Sequence, residues 1–240
     1  MQRVKLTKKD GIYLSIIAVL VAVATVFAIL WGVRQNETVG YYDSKCAVFE
    51  KENANFSRGQ IVFIGDSITD GCALDNYYGG LSLATYNRGI GGDTTSGVLN
   101  RIQGSLLDLE PSKIVLMIGI NDINGGIGKD TVLKNYEDIL SKISSALPNT
   151  QVVCASILPL NKDVESYTLI NVDKSMEIIK QVNPEIQKLT EKYDYTFLDV
   201  FDEFLDADNY LYKELSPDGI HLNADGYRKY SAMLIPFLQD

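Results

Sequence analysis

The sequence predicts an α/β domain with a parallel β-sheet covered by helices on both faces, preceded by one N-terminal transmembrane helix. Apolar runs of strand length alternate along the chain with longer stretches whose apolar residues recur every three or four positions. Such alternation is typical of a parallel sheet, because the helices that connect successive strands pack on its two faces. The chain has 240 residues, 46% of them apolar and 22% charged, which is the composition of a globular domain.

An uncharged apolar run occupies residues 11–33, with the sequence GIYLSIIAVLVAVATVFAILWGV. A helix of this length spans ~34 Å, which exceeds the ~30 Å hydrocarbon core of a bilayer. Residues 1–10 form a basic segment, and positive charge before a membrane span favours a cytoplasmic N-terminus with the following domain outside. The run therefore predicts a single-pass anchor in the cell membrane.

The same run also allows two other interpretations. Ala22, Val23 and Ala24 resemble a signal-peptide cleavage site, in which case the domain would be secreted. The apolar run continues to Val33, beyond the length that a signal peptide requires, so the uncleaved anchor is favoured. A buried core helix is disfavoured, because helices that are apolar all round are rare in a domain of this size.

Residues 34–58 are mixed and polar, and they predict a juxtamembrane linker leading into a short helix. Residues 59–240 then form the folded domain. Its predicted strands are 61–64, 84–90, 113–119, 151–157 and 195–200. Its predicted helices are 94–107, 130–147, 183–193 and 224–238. The third helix opens with Asn183, Pro184 and Glu185, a cap, a proline and an acid that favour a helix N-terminus.

Composition excludes several classes of protein. Lys and Arg number 22 against 31 Asp and Glu, and the net charge of −9 disfavours a nucleic-acid partner. One His excludes a metal site built on several histidines, and three Cys are too few for a disulfide scaffold or a structural zinc site. Cys72 and Cys154 are interpreted as packing residues, whereas Cys46 is a candidate for pairing between molecules.

Polar residues follow the first three predicted strands, at the sheet edge where α/β proteins bind ligands. Ser67 comes directly after the first strand, where a nucleophile would lie at the rim of the sheet. Residues 87–94 (NRGIGGDT) follow the second, and their glycines let backbone N–H groups approach a ligand. Asn121 follows the third and can donate to an oxyanion. Taken singly, each is more often a structural feature, namely a helix cap, a turn or an Asx-turn.

Asp218 and His221 lie three residues apart near the C-terminus. At that spacing a carboxylate can accept from one imidazole nitrogen and leave the other free as a base. An isolated His is usually structural, so this pair gains weight only together with the blocks above.

The four blocks GDS, GGD, GIND and DGIH, in that order, resemble the SGNH hydrolase family, also called GDSL esterases and lipases. The segment NRGIGGDTT is similar to the platelet-activating-factor acetylhydrolase and lysophospholipase-like branch. The resemblance covers roughly residues 59–238. The first block reads GDSI where the family often has GDSL, which puts no essential residue in doubt.

The resemblance implies a three-layer α/β/α sandwich with a five-stranded parallel sheet, similar to flavodoxin. It implies that Ser67 is the nucleophile, His221 the general base and Asp218 the residue that orients His221. The oxyanion hole would consist of the backbone N–H groups of Ser67 and Gly92 and the side chain of Asn121. It implies no cofactor and no metal.

The function expected from these features is a membrane-anchored extracytoplasmic serine esterase that removes acyl groups, short ones such as acetyl, from carbohydrate or lipid. An acetyltransferase acting on a cell-wall glycan is the alternative, and a non-catalytic binding module is a weaker one. A single membrane span favours hydrolysis, because transferases of this kind often carry a multi-spanning donor module. Residues 158–182 are a candidate lid or substrate wall, and Tyr77 or Tyr78 are candidates for lining the site. The sequence leaves the acyl chain length, the natural acceptor and the oligomeric state open.

Overall fold

The structure, a computed structural model, describes residues 8–163 and 170–239, and for residues 8–12, 14–15, 30 and 32–39 it describes the backbone only. The chain divides into two compact units, residues 1–44 and residues 45–240. Helix α1 runs without a break from Lys8 to Asn53, so the predicted linker and short helix within 34–58 are one helix as far as Asn53.

Among the residues whose side chains are described, no helix is both long enough and apolar enough to cross a membrane. Part of the predicted anchor at 11–33, and the whole basic segment at 1–10, lie outside those residues. The transmembrane anchor therefore stays a prediction.

The second unit is built on one five-stranded parallel sheet, as predicted, with strand order β2-β1-β3-β4-β5. The strands are β1 (Ile61–Gly65), β2 (Thr85–Gly89), β3 (Lys113–Met117), β4 (Gln151–Ala155) and β5 (Thr196–Leu198). Strands β2 to β5 each end one to two residues before the predicted end. The chain leaves the sheet there into the loops that carry the site, as at Gly119, which has φ +130°.

Helices cover both faces of the sheet, which confirms the three-layer arrangement. The helices of this unit are α2 (Ser67–Asp70), α3 (Leu74–Tyr78), α4 (Thr95–Ser105), α5 (Ile120–Asn124), α6 (Lys129–Ala146), α7 (Val172–Lys192) and α8 (Ala224–Leu238). Alternate residues of β1 point to opposite faces: Val62 and Ile64 pack in the cluster that includes α4, α6 and α7, whereas Ile61 and Phe63 pack in the cluster that includes α3 and α8.

The predicted start of a helix at Asn183, Pro184 and Glu185 is wrong, because these residues lie inside α7. The Asn183 side chain is buried and forms hydrogen bonds with both backbone groups of Ile157. Its Oδ1 accepts from the Ile157 N–H at 2.9 Å and its Nδ2 donates to the Ile157 carbonyl at 2.9 Å. The asparagine therefore fixes the chain after β4 instead of capping a helix. The observed cap is Asn171, whose side chain accepts from the backbone N–H of Lys174.

Candidate active site

The turn after β1 places Ser67 at the carboxyl edge of the sheet. Asp66 caps the short helix α2 by accepting from the Ile68 N–H at 3.0 Å, and Ser67 is the first residue of that helix. Glycine is required in two positions around this turn. A Cβ at Gly65 would lie 2.2 Å from the carbonyl oxygen of Met117, and one at Gly89 would lie 2.1 Å from the backbone nitrogen of Asp70. Strands β1, β2 and β3 can therefore bring their ends close together.

Ser67, His221 and Asp218 form one hydrogen-bonded chain, as predicted. The Ser67 hydroxyl lies 2.8 Å from Nε2 of His221, and Nδ1 of His221 lies 2.6 Å from Oδ2 of Asp218. An ionised carboxylate only accepts, so Nδ1 carries the proton and Nε2 is left to accept from the serine. This arrangement can deprotonate a serine hydroxyl as it attacks a carbonyl carbon.

The Asp218 carboxylate is fixed by its own turn. Its Oδ1 accepts from the backbone N–H groups of Ile220, at 3.0 Å, and of His221, at 2.8 Å. The Ser216 hydroxyl accepts from the Gly219 N–H at 2.8 Å and so closes the same turn. Burial raises the pKa of Asp218, but the hydrogen bonds from the His221 ring and from the two N–H groups outweigh it, and the pKa lies below its ordinary value. Asp218 therefore stays an anion beside the imidazole.

A second carboxyl group, that of Asp66, is buried directly before Ser67. Burial raises the pKa of Asp66 from 3.8 to about 7, opposed by the hydrogen bond from the Ile68 N–H and reinforced by the neighbouring carboxyl of Asp93. Among the described residues, its Oδ2 has no hydrogen-bond partner. No role for Asp66 was predicted from the sequence.

Residues 89–94, here called the glycine loop, lie beside the same turn. The backbone N–H of Ile90 donates to the carbonyl of Gly65 at 3.1 Å. Gly92 has φ +78°, a conformation that glycine adopts without strain. The Asn121 side chain donates through Nδ2 to the carbonyl of Asp93 at 2.9 Å, so Asn121 reaches the residue that follows Gly92. The structure thus brings Asn121 to the glycine loop, as expected for two parts of one oxyanion hole.

The glycine loop is also supported by an ion pair that the sequence analysis missed. Arg101, on α4, donates through Nε to Oδ2 of Asp93 at 2.7 Å and through Nη2 to the carbonyl of Gly65 at 3.0 Å. Both charged side chains are only 2% exposed. No local sequence pattern pairs Asp93, in the loop, with Arg101, eight residues later on the helix. The ion pair is therefore evident only in the folded chain.

Asp122 is a further buried carboxylate that the sequence analysis did not single out. It follows Asn121 and binds the start of α4, accepting from the Thr95 N–H at 2.9 Å and from the Thr95 hydroxyl at 2.6 Å. The pair fixes α5, which carries Asn121, to the helix that follows the glycine loop.

Two of the three cysteines, Cys72 and Cys154, are free thiols. Cys72 and Cys154 are buried, and burial raises the pKa of Cys72 to about 12 and that of Cys154 to about 11. Neither is a thiolate near neutral pH, in agreement with their interpretation as packing residues. Cys46 lies on α1 and is partly buried; its pairing between molecules stays a prediction. Within the described part of the chain, no group of three or more His, Cys, Asp or Glu side chains is arranged to hold a metal ion.

Cavity size alone would not identify this site. A cavity of about 610 Å³ opens near the amino ends of β4 and β5, lined by residues 148–153 and 193–196, away from the three catalytic candidates. Beside Asp66 and Ile68 lies an apolar pocket that is too narrow to admit a water molecule. Residues 158–160 form part of its wall; residues 164–169, within the candidate lid, lie outside the description. Tyr78 is buried in the core, and Tyr77 packs against Tyr227 with ring centroids 5.8 Å apart.

Known proteins resemble this chain in sequence and in fold. A model of the GDSL-like Lipase/Acylhydrolase family matches residues 63–229. Platelet-activating factor acetylhydrolase IB subunit alpha2 from Rattus norvegicus is 27% identical over 172 residues, which cover 70% of this chain and 71% of that protein. A structure from Streptococcus pneumonia, described provisionally as a platelet activating factor, has 30% identity and a TM-score of 0.82 and covers 88% of this chain and 99% of that one. The acetyl xylan esterase AlAXEase has 22% identity and a TM-score of 0.63 over 75% of this chain and 99% of that one, so it shows the fold alone.

The parallel α/β/α sandwich with a serine, a histidine and an aspartate at its carboxyl edge defines a serine ester hydrolase. The match over residues 63–229 shows that the chain belongs to the GDSL-like lipase/acylhydrolase family.

Proposed function

We propose that this chain is a membrane-anchored extracytoplasmic esterase that hydrolyses short-chain acyl esters, acetyl esters above all, of carbohydrate or lipid. The observation that carries the proposal is the hydrogen-bonded chain from Ser67 through His221 to Asp218. Ser67 is the nucleophile, His221 the general base and acid, and Asp218 the residue that orients the imidazole.

The reaction proceeds through an acyl-enzyme. The Ser67 oxygen bonds to the ester carbonyl carbon while its proton passes to Nε2 of His221. Negative charge develops on the carbonyl oxygen, where the N–H groups of Ser67 and Gly92 and the amide of Asn121 stabilise it. The imidazolium then gives its proton to the departing alcohol. Water, deprotonated by His221, attacks the acyl-serine, and the acid and the free serine are released.

The names of the similar proteins support a short acyl group. The curated relatives are named platelet-activating factor acetylhydrolase, a name that refers to an acetyl group. The net charge of −9 favours a neutral or zwitterionic ester over an anionic polymer.

The test is hydrolysis of p-nitrophenyl acetate, butyrate and octanoate by the full-length chain and by Ser67→Ala. We expect kcat/KM to fall with acyl length, and to fall by at least about 10⁴-fold in Ser67→Ala. Activity that survives in Ser67→Ala would refute the nucleophile assignment. A parent chain that releases p-nitrophenol from the acetate ester only when a glycan is supplied, and acetylates that glycan, would be a transferase and not an esterase. Activity that rises toward octanoate would indicate a lipid substrate.

The proposed location rests on the uncharged run at 11–33 and the basic segment before it. Its test is membrane fractionation of cells that express the full chain. We expect the protein to stay in the membrane after alkaline carbonate extraction and to be cut by protease added outside spheroplasts. Recovery of a shortened chain from the medium would instead support cleavage and secretion.

A further inference from the structure

A lysine on helix α1 reaches the turn that carries the nucleophile. The Nζ atom of Lys45 lies 2.6 Å from Oδ1 of Asp70, and the two side chains are 28% and 21% exposed. Asp70 is the last residue of α2, the helix that begins at Ser67. The other oxygen of the same carboxylate, Oδ2, accepts from the backbone N–H of Gly91 at 3.2 Å. Lys45 and Asp70 thus extend from α1 to the glycine loop.

The segment of α1 that carries this lysine is firmly attached to the domain. Phe49 is 4% exposed and packs under the Arg88 guanidinium, 4.6 Å from its ring centroid. Arg88, itself 1% exposed, donates to Glu52 at 2.9 Å and to the side chain of Asn53 at 3.0 Å. The Asn53 amide also donates to the carbonyl of Gly104 at 2.6 Å. The lysine is therefore presented by a fixed helix end and not by a loose tail.

The contact at Gly91 bears on catalysis because the next residue, Gly92, supplies a proposed oxyanion donor. Two adjacent glycines have more backbone freedom than any other pair, and holding them in one conformation is entropically costly. A carboxylate bound to the Gly91 N–H restricts that freedom. It also places a negative charge one residue from the proposed oxyanion donor at Gly92, and this charge would oppose catalysis unless a cation offsets it.

We propose that Lys45 and Asp70 are positioning residues of the oxyanion hole: Asp70 holds Gly91, and Lys45 orients and neutralises Asp70. Catalysis then depends on a helix segment that precedes residues 63–229, the region that the family model matches. This inference rests on the proposed role of Gly92. It assigns no direct contact with the substrate to either side chain.

The test compares Lys45→Met, Lys45→Arg, Asp70→Asn and the double variant in the full-length chain. Lys51→Met, at an exposed lysine on the same helix, is the matched control. We expect Lys45→Met to lower kcat for p-nitrophenyl acetate about tenfold with KM within twofold, because a neutral ester does not meet the charge until the transition state. Lys45→Arg should restore most of kcat, and Lys51→Met should match the parent.

The double variant separates charge from mere contact. When Lys45→Met is combined with Asp70→Asn, the introduced amide oxygen can still accept from the Gly91 N–H but no net charge is left. We therefore expect kcat to recover to within about threefold of the parent. A double variant as impaired as Lys45→Met would overturn the electrostatic argument. A Lys45→Met variant with unchanged kcat would overturn the proposal.

Hydrogen–deuterium exchange of peptides covering residues 89–94 provides a readout that does not need activity. We expect faster exchange there in Asp70→Ala than in the parent, and no change in Lys51→Met. If the parent hydrolyses no ester, the proposed function fails while this measurement still decides the positioning. Unchanged exchange at 89–94 in Asp70→Ala would overturn it.

Discussion

Two segments of the candidate site are held in place in different ways. One is the turn that carries Asp218 and His221, and the other is the glycine loop. The turn is closed mainly by hydrogen bonds that span two or three residues, from Ser216 to Gly219 and from Asp218 to His221, and one distant group, the backbone N–H of Asn161, donates to the Gly219 carbonyl at 2.9 Å. The glycine loop is held largely by groups that are distant in sequence, namely the Gly65 carbonyl, the Asp70 carboxylate and the Asn121 amide. The geometry of Asp218 and His221 is therefore set mainly within the turn, whereas the glycine loop depends on side chains from several elements of the fold.

This difference separates two kinds of variant. A change to the His221 side chain should abolish the chemistry with little effect on the fold, because the hydrogen bonds that close the turn come from backbone N–H groups and not from the imidazole. Changes around the glycine loop should affect both stability and rate, because the same side chains support the fold and the donors. The predictions below test this separation, from the largest expected effect to the smallest.

His221→Gln should have the largest effect. The chain contains one His, so no other imidazole can take its place. We expect kcat/KM for p-nitrophenyl acetate to fall by at least about 10⁴-fold, with the thermal unfolding midpoint unchanged within about 2 °C. A large loss of stability in this variant would contradict the local character of the turn. Retention of more than about 1% of the activity would contradict the role of His221.

Arg101→Met should be the most destabilising change around the glycine loop. It leaves the Asp93 carboxylate buried without its ion-pair partner, a loss of about 3–5 kcal/mol in the free energy of unfolding. The measurement is urea denaturation followed by circular dichroism. Lys134→Met is the matched control, because Lys134 forms an exposed pair with Asp138 on one helix and should change stability by less than about 0.5 kcal/mol. Equal effects of the two variants would show that the buried pair does not support the loop.

Asn121→Ala should lower the rate without unfolding the protein. Removing one donor of an oxyanion hole costs about 10²- to 10³-fold in kcat, with KM little changed because the donor acts on the transition state. The variant also loses the hydrogen bond to the Asp93 carbonyl, so a small loss of stability is expected with it. Asn149→Ala, at an exposed residue of the cavity near the amino ends of the strands, should leave both unchanged.

The same contrast explains which parts of the structure the sequence predicts. The five strands were predicted from short-range patterns and are confirmed, whereas Ser67, Asp218 and His221 were named through the family resemblance, and the structure brings the three together. The helix start at Asn183 was predicted wrongly because its side chain binds the backbone of Ile157, 26 residues away. Asn183, Pro184 and Glu185 nevertheless have the sequence pattern of a helix N-terminus. Arg101 was missed for a similar reason. A buried ion pair between a loop and a helix has no local periodicity to reveal it, although an arginine on the apolar face of a predicted helix is a usable signal.

Asp66 lies between the two regions and provides the finest test of their separation. The charges of Asp93 and His221 both act on its carboxyl group, Asp93 raising and His221 lowering its pKa. With a pKa of about 7 in the folded protein against an ordinary 3.8, it keeps its proton at pH values where the unfolded chain has already released it. Unfolding then becomes easier as the pH rises. Relative to Asp66→Asn, the parent should lose up to about 1.4 kcal/mol of stability per pH unit between about pH 4 and pH 7, and nothing further above that.

The measurement is the free energy of unfolding of the parent and of Asp66→Asn at a series of pH values. Asp108→Asn, at an exposed carboxyl, is the control and should follow the parent profile. A difference between the parent and Asp66→Asn that stays constant from pH 4 to pH 7 would mean that Asp66 is ionised beside His221. The buried carboxyl would then belong to the electrostatics of the triad, and the turn would depend on the fold as much as the glycine loop does.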